Sequence, residues 1–308
     1  MKTFKPSLKS SPFFHQAPSL PALMWQVCAA LSLGIFVKAL FFGWIIVGNL
    51  LVAASVAIGV EALWLALRKL PLKPALDGSA TLTALLLTLS LPTHAPLWLV
   101  IVAVWVAIWL GKQLYGGLGM NPFNPAMLSF ALCLVSFPVL MSSQQSALLD
   151  GTTGATLLDA SRQLRTQSLP LNTQAFPLLP TLCQNLAWLL GWAWLVKKRF
   201  VDSRITIAML LSALLVSTLF WLYDSSRYLN PFHQLLYGAL IFGACFIATD
   251  PTTAATTKRG RYLYGALIGA LVIGIRNLGQ YPDGVAFAVL FGNALAPIID
   301  PLTRPQYR

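Results

Sequence analysis

Ten apolar runs joined by mostly short connections limit what this chain can fold into more than any other feature. They fall at about 22–42, 43–66, 79–91, 97–111, 126–141, 182–196, 205–222, 232–248, 263–275 and 284–299. A spanning helix takes about 20 mostly apolar residues, so 308 residues leave room for roughly ten helices and little soluble structure. With 57% hydrophobic and 10% charged residues, the chain has too little charge to cover a soluble surface of this size. The expected fold class is an all-α polytopic membrane protein.

The net charge of +12 suggests a polyanion partner only until the basic residues are located. They flank the apolar runs, which reads as membrane topology and excludes nucleic acid as the partner. Lys2, Lys5 and Lys9 precede the first run, and Arg68, Lys69 and Lys73 follow the second. Lys112 lies between the fourth and fifth runs. Lys197, Lys198, Arg199 and Arg204 lie between the sixth and seventh, and Lys258, Arg259 and Arg261 between the eighth and ninth. Arg304 and Arg308 close the chain. With ten helices, all of these fall on one side, so both termini are expected in the cytoplasm. The opposite side holds the sparse, mixed set Asp150, Asp159, Arg162, Arg165, Asp224, Arg227 and Arg276. The polar, basic N-terminus lacks a cleavage site behind a short apolar core and reads as a retained tail.

Cys28, Cys133, Cys183 and Cys245 stand singly in apolar runs, and the three histidines are far apart. Neither an iron–sulfur cluster nor a disulfide framework is supported, and no metal site is expected. An internal repeat is visible instead. Leu118-Gly119, Pro122 and Ala126 recur as Leu278-Gly279, Pro282 and Ala286 at a constant offset of 160, and Pro92-Thr93 recurs as Pro251-Thr252 at 159. Five helices separate the paired elements, and an odd number reverses orientation, so two inverted five-helix repeats are expected. The implied organisation is a tail (1–21), a first repeat (22–141), an extracytoplasmic loop (142–181), a second repeat (182–300) and a C-terminal tail (301–308). In such folds, corresponding Pro/Gly-broken segments point to buried sites. Here they are Pro92, 116–125, 249–253 and 278–284.

The loop carries Asp150-Gly151-Thr152-Thr153-Gly154-Ala155-Thr156. As a generic loop, this is a turn with Asp150 or Thr153 capping a short helix. It also resembles the signature on which a periplasmic flavin transferase esterifies FMN, through its phosphate, to the last threonine. Small neighbours suit an acceptor that must enter another enzyme's active site.

Lys112-Gln113-Leu114-Tyr115-Gly116-Gly117-Leu118-Gly119-Met120-Asn121-Pro122-Phe123-Asn124-Pro125-Ala126, Thr249-Asp250-Pro251-Thr252-Thr253-Ala254 and Tyr281-Pro282-Asp283-Gly284-Val285-Ala286-Phe287-Ala288, with Ser10-Ser11-Pro12, carry a wider resemblance. The chain resembles the D-type component of the ion-translocating Rnf electron-transport complex over nearly its whole length. The paralogous B-type component of sodium-pumping NADH:quinone reductase is usually longer, with an N-terminal extension. Leu157 stands where the family often has proline, and only eight residues lead from Ser142 to the motif. The resemblance implies covalent FMN on Thr156 and non-covalent riboflavin within the membrane. It implies partnership with the complex's iron–sulfur and flavin subunits, and electron transfer between ferredoxin and NAD coupled to ion translocation. Such a component is not catalytically complete alone.

For the second flavin, Asn121 and Asn124 are the expected partners, because amides match both donors and acceptors along an isoalloxazine edge. The alternative is helix capping around Pro122 and Pro125. Asp250 is the next candidate, or else an N-cap. On the other side Arg276, Tyr281 and Asp283 are expected to line the FMN site, where a cation favours phosphate or reduced flavin. A snorkelling Arg276 is the alternative. Glu61 is either an intramembrane relay carboxylate or, seven residues before Arg68, an interfacial one, which is preferred. Lys38 reads as a snorkelling side chain. Two other functions compete with the redox one: a small-solute channel or transporter built on inverted repeats, and an architectural anchor without flavin.

Overall fold

The computed structural model describes residues 19–142, 158, 161–162, 178–281 and 283–304. Among these there is no strand. Helices α1 (Leu20–Phe42) and α2 (Ile45–Leu67) have 23 residues each, about 34 Å of rise and enough to cross a hydrocarbon core of about 30 Å. The boundary between them, invisible in the hydropathy, is set by Gly43 at φ 103, a left-handed conformation that glycine alone adopts cheaply. Helix α3 (Ser79–Ser90) has 12 residues, or about 18 Å, and ends before Pro92. Helix α4 (Leu97–Trp109) runs into a short 3₁₀ turn at Gln113–Tyr115. Gly116, Gly117 and Gly119 then all take positive φ, and the chain turns back before α5 (Pro125–Ser136). Pro138 splits the fifth apolar run, and α6 (Pro138–Ser142) follows.

The later helices are α7 (Leu178–Lys197), α8 (Ser203–Tyr223), α9 (Pro231–Leu236), α10 (Leu240–Phe242), α11 (Lys258–Leu278) and α12 (Val285–Leu302). The eighth apolar run is therefore not one helix. Gly238, at φ 81, breaks it, and α10 passes directly into a π-helical turn at Gly243–Ile247. Among the described residues, five helices are long and apolar enough to cross a membrane: α1, α2, α4 with its continuation to Tyr115, α8 and α12. Their outward faces carry exposed leucines, among them Leu51 on α2 and Leu211 and Leu215 on α8. In water such faces would be polar, so the chain is a multi-pass membrane protein whose outer surface is made for lipid.

Helices associate here by close approach of small residues, because lipid gives them no hydrophobic drive to pair. Gly265 and Gly269 of α11 press on α8, where an added Cβ would collide with the carbonyl oxygens of Ile205 and Met209. Gly34 of α1 lies beneath the Trp188 ring of α7. Helices α2 and α4 pack together in the first part of the chain as α8 and α11 do in the second, while α1–α7 and α5–α12 contacts join the two parts. At one end of α11 the Arg261 guanidinium and that of Arg204 both reach Asp202, which also caps α8 by accepting from the Arg204 N–H. This ties the 197–204 connection and the start of α11 to the same end of the molecule.

Candidate functional site

Broken segments from both parts of the chain converge on one cleft. It holds about 650 Å³ of non-atom space, open mouth included, and is lined by Met24, Lys112, Asn121, Asn124, Phe246 and Asp250 among others. Asn124 caps α5: its Oδ1 accepts from the N–H groups of Ala126 and Met127 at 3.1 and 3.2 Å, with Pro125 in the first helical position. The capping alternative is thus realised at Asn124, and its remaining donor, Nδ2, lies 3.3 Å from Asp250 Oδ2. Asp250 does not cap a helix. Its Oδ1 accepts from the Thr252 N–H and hydroxyl, and its Oδ2 from Thr253 as well as Asn124, which folds 249–254 into a tight turn.

Asn121 differs from Asn124. Its Nδ2 donates to the Phe123 carbonyl at 2.9 Å, but its buried Oδ1 has no hydrogen-bond partner among the described residues. A buried acceptor left unpaired is costly, and this one lines the cleft, so it suits a ligand with an N–H edge. Beneath it, Asn293 of α12 accepts from the Asn124 N–H at 3.0 Å and donates to the Tyr264 hydroxyl at 2.8 Å. Asn293 was not among the residues expected from the sequence. Only its polar character inside an apolar run could have marked it.

Arg276, Tyr281 and Asp283 form a separate group. Arg276 sits twelve positions beyond Tyr264 on α11, about 18 Å along the axis. Its side chain is 1% exposed and that of Asp283 25%, and the guanidinium reaches Asp283 Oδ1 through Nη2 at 3.1 Å and Nε at 3.3 Å. Nη1 donates to the Gln234 carbonyl at 2.5 Å. Asp283 Oδ2 accepts from the Ala239 N–H at 2.6 Å, so the pair pins the break at Gly238 to the start of α12. Arg276 is therefore paired inside the protein, and the snorkelling alternative is excluded. The Tyr281 ring packs on Phe287, 4.8 Å between centroids. Leu158, buried, touches the same break. Thr156 and its motif lie outside the described residues, as does Pro282.

Two charges read from the sequence as interfacial are in fact enclosed. Glu61 and Lys112 are each 2% exposed and paired, with Lys112 Nζ at 2.6 and 2.7 Å from the two carboxylate oxygens. Gln113 Nε2 donates to Glu61 at 2.7 Å, and Lys112 also donates to the Ser79 hydroxyl. Lys112 thus does not serve as a free topological charge. Hydropathy placed Glu61 near a helix end correctly, but could not show that the irregular 112–113 segment folds back over it. Lys38 does not snorkel either: it is buried and donates to the Leu89 carbonyl at 2.8 Å, serving the last turn of the short helix α3. No group of three or more metal-ligating side chains occurs among the described residues.

The geometry thus comprises a cleft with an orphan acceptor and a distant, partly open ion pair at a helix break. The sequence matches the family described as NQR2, RnfD and RnfE over residues 7–308. Proteins named as the D component of an ion-translocating oxidoreductase complex are similar to it along almost their full length. That of Aeromonas hydrophila is 40% identical over 97% of both chains. That of Vibrio atlanticus is 40% identical over 97% of this chain and 98% of its own, and that of Citrobacter koseri 38% identical over 97% of both. A buried site assembled from broken helices, in a chain matched from tail to last helix, places this protein in the NQR2, RnfD and RnfE family.

Proposed function

We propose that this chain is the flavin-carrying membrane component of an Rnf-type complex, which couples electron transfer between ferredoxin and NAD to ion translocation across the bacterial inner membrane. The observation that carries this reading is the acceptor motif 150–156 in a chain whose relatives are named as parts of an oxidoreductase complex. FMN is esterified through its phosphate to Thr156 by a periplasmic flavin transferase. A bound flavin supplies redox chemistry that side chains lack, and the protein supplies position, shielding and charge. Arg276 and Asp283 set the electrostatics at the loop's side of the molecule. Riboflavin occupies the cleft, with Asn121 Oδ1 accepting from its N–H edge and the Asn124–Asp250 pair behind. The cleft is narrow, so the ring enters as neighbouring side chains turn aside.

The chain is divided as 1–21, 22–141, 142–181, 182–300 and 301–308, with two inverted five-helix repeats and cytoplasmic termini. Two features support the topology: matching packing of α2–α4 and α8–α11, and the basic residues gathered around Asp202 at the end of α11 away from Arg276. Electrons enter and leave through the iron–sulfur and flavin subunits of the complex.

The test is in-gel flavin fluorescence of denatured protein. It is expected in the native sequence and absent in Thr156→Val; fluorescence that persists in the variant refutes the attachment site. Riboflavin released from native protein by mild denaturation should fall in Asn121→Leu and stay unchanged in Thr156→Val. Solute flux through flavin-free protein in liposomes would favour a channel instead.

A further inference from the structure

Asn293 of α12 is 2% exposed and is not part of the cleft lining, yet it bonds both segments that form the polar wall. Its Oδ1 accepts from the Asn124 N–H at 3.0 Å, which fixes the 121–125 segment. Its Nδ2 lies 3.3 Å from the Thr253 carbonyl, which it ties to the 249–254 turn, and donates to the Tyr264 hydroxyl at 2.8 Å. The orientation of the amide is dictated by its neighbours, since a backbone N–H can only donate and a carbonyl can only accept. One short side chain with an acceptor and two donors meets all three demands. A carboxylate lacks the donors, leucine lacks both kinds of group, and glutamine is a methylene too long for a site this enclosed. Gly292 brings the amide within reach. A Cβ there would stand 2.8 Å from Ile268 Cδ1 and 3.1 Å from Tyr264 Cε2, so α12 and α11 approach closely at this level.

The two segments also meet through Asn124 Nδ2 and Asp250 Oδ2, 3.3 Å apart. Both of those residues line the cleft, so a ligand can take the place of either partner. Asn293 instead bonds backbone groups from outside the cleft. Asn121 is tied to the same segment by its bond to the Phe123 carbonyl, so the position of its unpaired Oδ1 follows the Asn124 backbone. We propose that Asn293 is a positioning residue, which by clamping 121–125 to 249–254 holds Asn121 Oδ1 and Asp250 in register for the flavin ring. The proposal rests on riboflavin occupying the cleft.

The test uses the full chain in detergent, stripped of riboflavin, and reads the clamp and the ligand separately. Asn293→Leu removes the bonds to both segments and to Tyr264, whereas Tyr264→Phe removes the last alone. Equilibrium dialysis against riboflavin should give a Kd raised about tenfold or more in Asn293→Leu and about threefold or less in Tyr264→Phe. Amide hydrogen exchange without riboflavin should rise at least about tenfold in peptides covering 121–128 and 249–255 in Asn293→Leu, and less than about threefold in Tyr264→Phe. Should Asn293→Leu not fold, Asn293→Ala, which leaves room for water beside the freed groups, carries the same two readouts. Exchange at the native rate in the Asn293 variant overturns the clamp. Faster exchange with riboflavin affinity unchanged, or an equal loss of affinity in the Asn293 and Tyr264 variants, overturns the positioning role alone. A native protein that binds no riboflavin overturns the reading of the cleft and the positioning role with it, whereas exchange still reports the clamp.

Discussion

Two buried ion pairs, each binding a helix to an irregular segment, have different surroundings. Glu61–Lys112 is almost wholly enclosed: both side chains are 2% exposed, Gln113 and Ser79 complete the shell, and only Lys112 and Ser79 border the cleft. Arg276–Asp283 is buried at the arginine and a quarter exposed at the aspartate, and its surroundings are backbone groups of a broken helix and the Leu158 side chain across Gly238. A fully enclosed pair can only respond to something arriving through the protein. A pair with one partner at the surface can meet a group brought from outside. Enclosure therefore divides the charges of this chain more sharply than their depth in the sequence does.

The largest effect expected from this contrast is at Lys112. Lys112→Ala leaves Glu61 charged, buried and without its counterion, which typically costs about 3–5 kcal/mol. Unfolding of the purified protein in detergent should show the loss, and Glu61→Gln combined with Lys112→Met should recover most of it. If the double variant is as unstable as the single one, the pair is not what the enclosure protects, and its hydrogen bonds to Gln113 and Ser79 are.

At Arg276 the same operation should cost less, about 1–3 kcal/mol, because water can reach Asp283 once the guanidinium is gone. Arg276→Lys sharpens the point. It keeps the charge but cannot bridge Asp283 Oδ1 and the Gln234 carbonyl with one planar fork, so stability should fall between native and Arg276→Ala. A loss at Arg276→Ala as large as that at Lys112→Ala would erase the distinction between the two pairs.

What the sequence made legible follows from what it encodes locally. Apolar runs became helices because hydropathy acts residue by residue, and the glycines of 116–119 marked a true reversal because positive φ is a local demand. The eighth run misled: it is apolar apart from His233 and Gln234, yet Gly238 and the π turn break it, and the neighbours that leave room only for glycine at 238, Arg276, Asp283 and Leu158, are far away in sequence. The fates of Lys38, Glu61 and Lys112 were hidden for the same reason. Whether a charge near a helix end meets water depends on which segment folds over it, and here Leu89 and the 112–113 turn do so. Of the expected cleft residues, Asn121, Asn124 and Asp250 do converge, because both broken segments meet there, whereas Asn293 is marked in the sequence only by being polar in an apolar run, and its contacts reveal its place.

The smallest effect belongs to a third pair, which serves as the open limit of the series. Asp202 bonds Arg204 and Arg261, whose side chains are 35% and 33% exposed. Partial burial alone would raise its carboxyl, but the Arg204 N–H and the two guanidinium groups outweigh this and hold it below the usual carboxylate range. A depressed folded-state value means that the contribution is complete above the unfolded value, about 3.9, and fades as pH falls through the folded one. Asp202→Asn should therefore cost about 0–1 kcal/mol at neutral pH, less at high salt, where exposed charges are screened. Its melting temperature should converge with that of the native protein as the pH is lowered through that range. The Lys112→Ala deficit, shielded from solvent ions, should hold its size across the same salt series; if both respond alike to salt, Glu61–Lys112 is reached by water and is not enclosed.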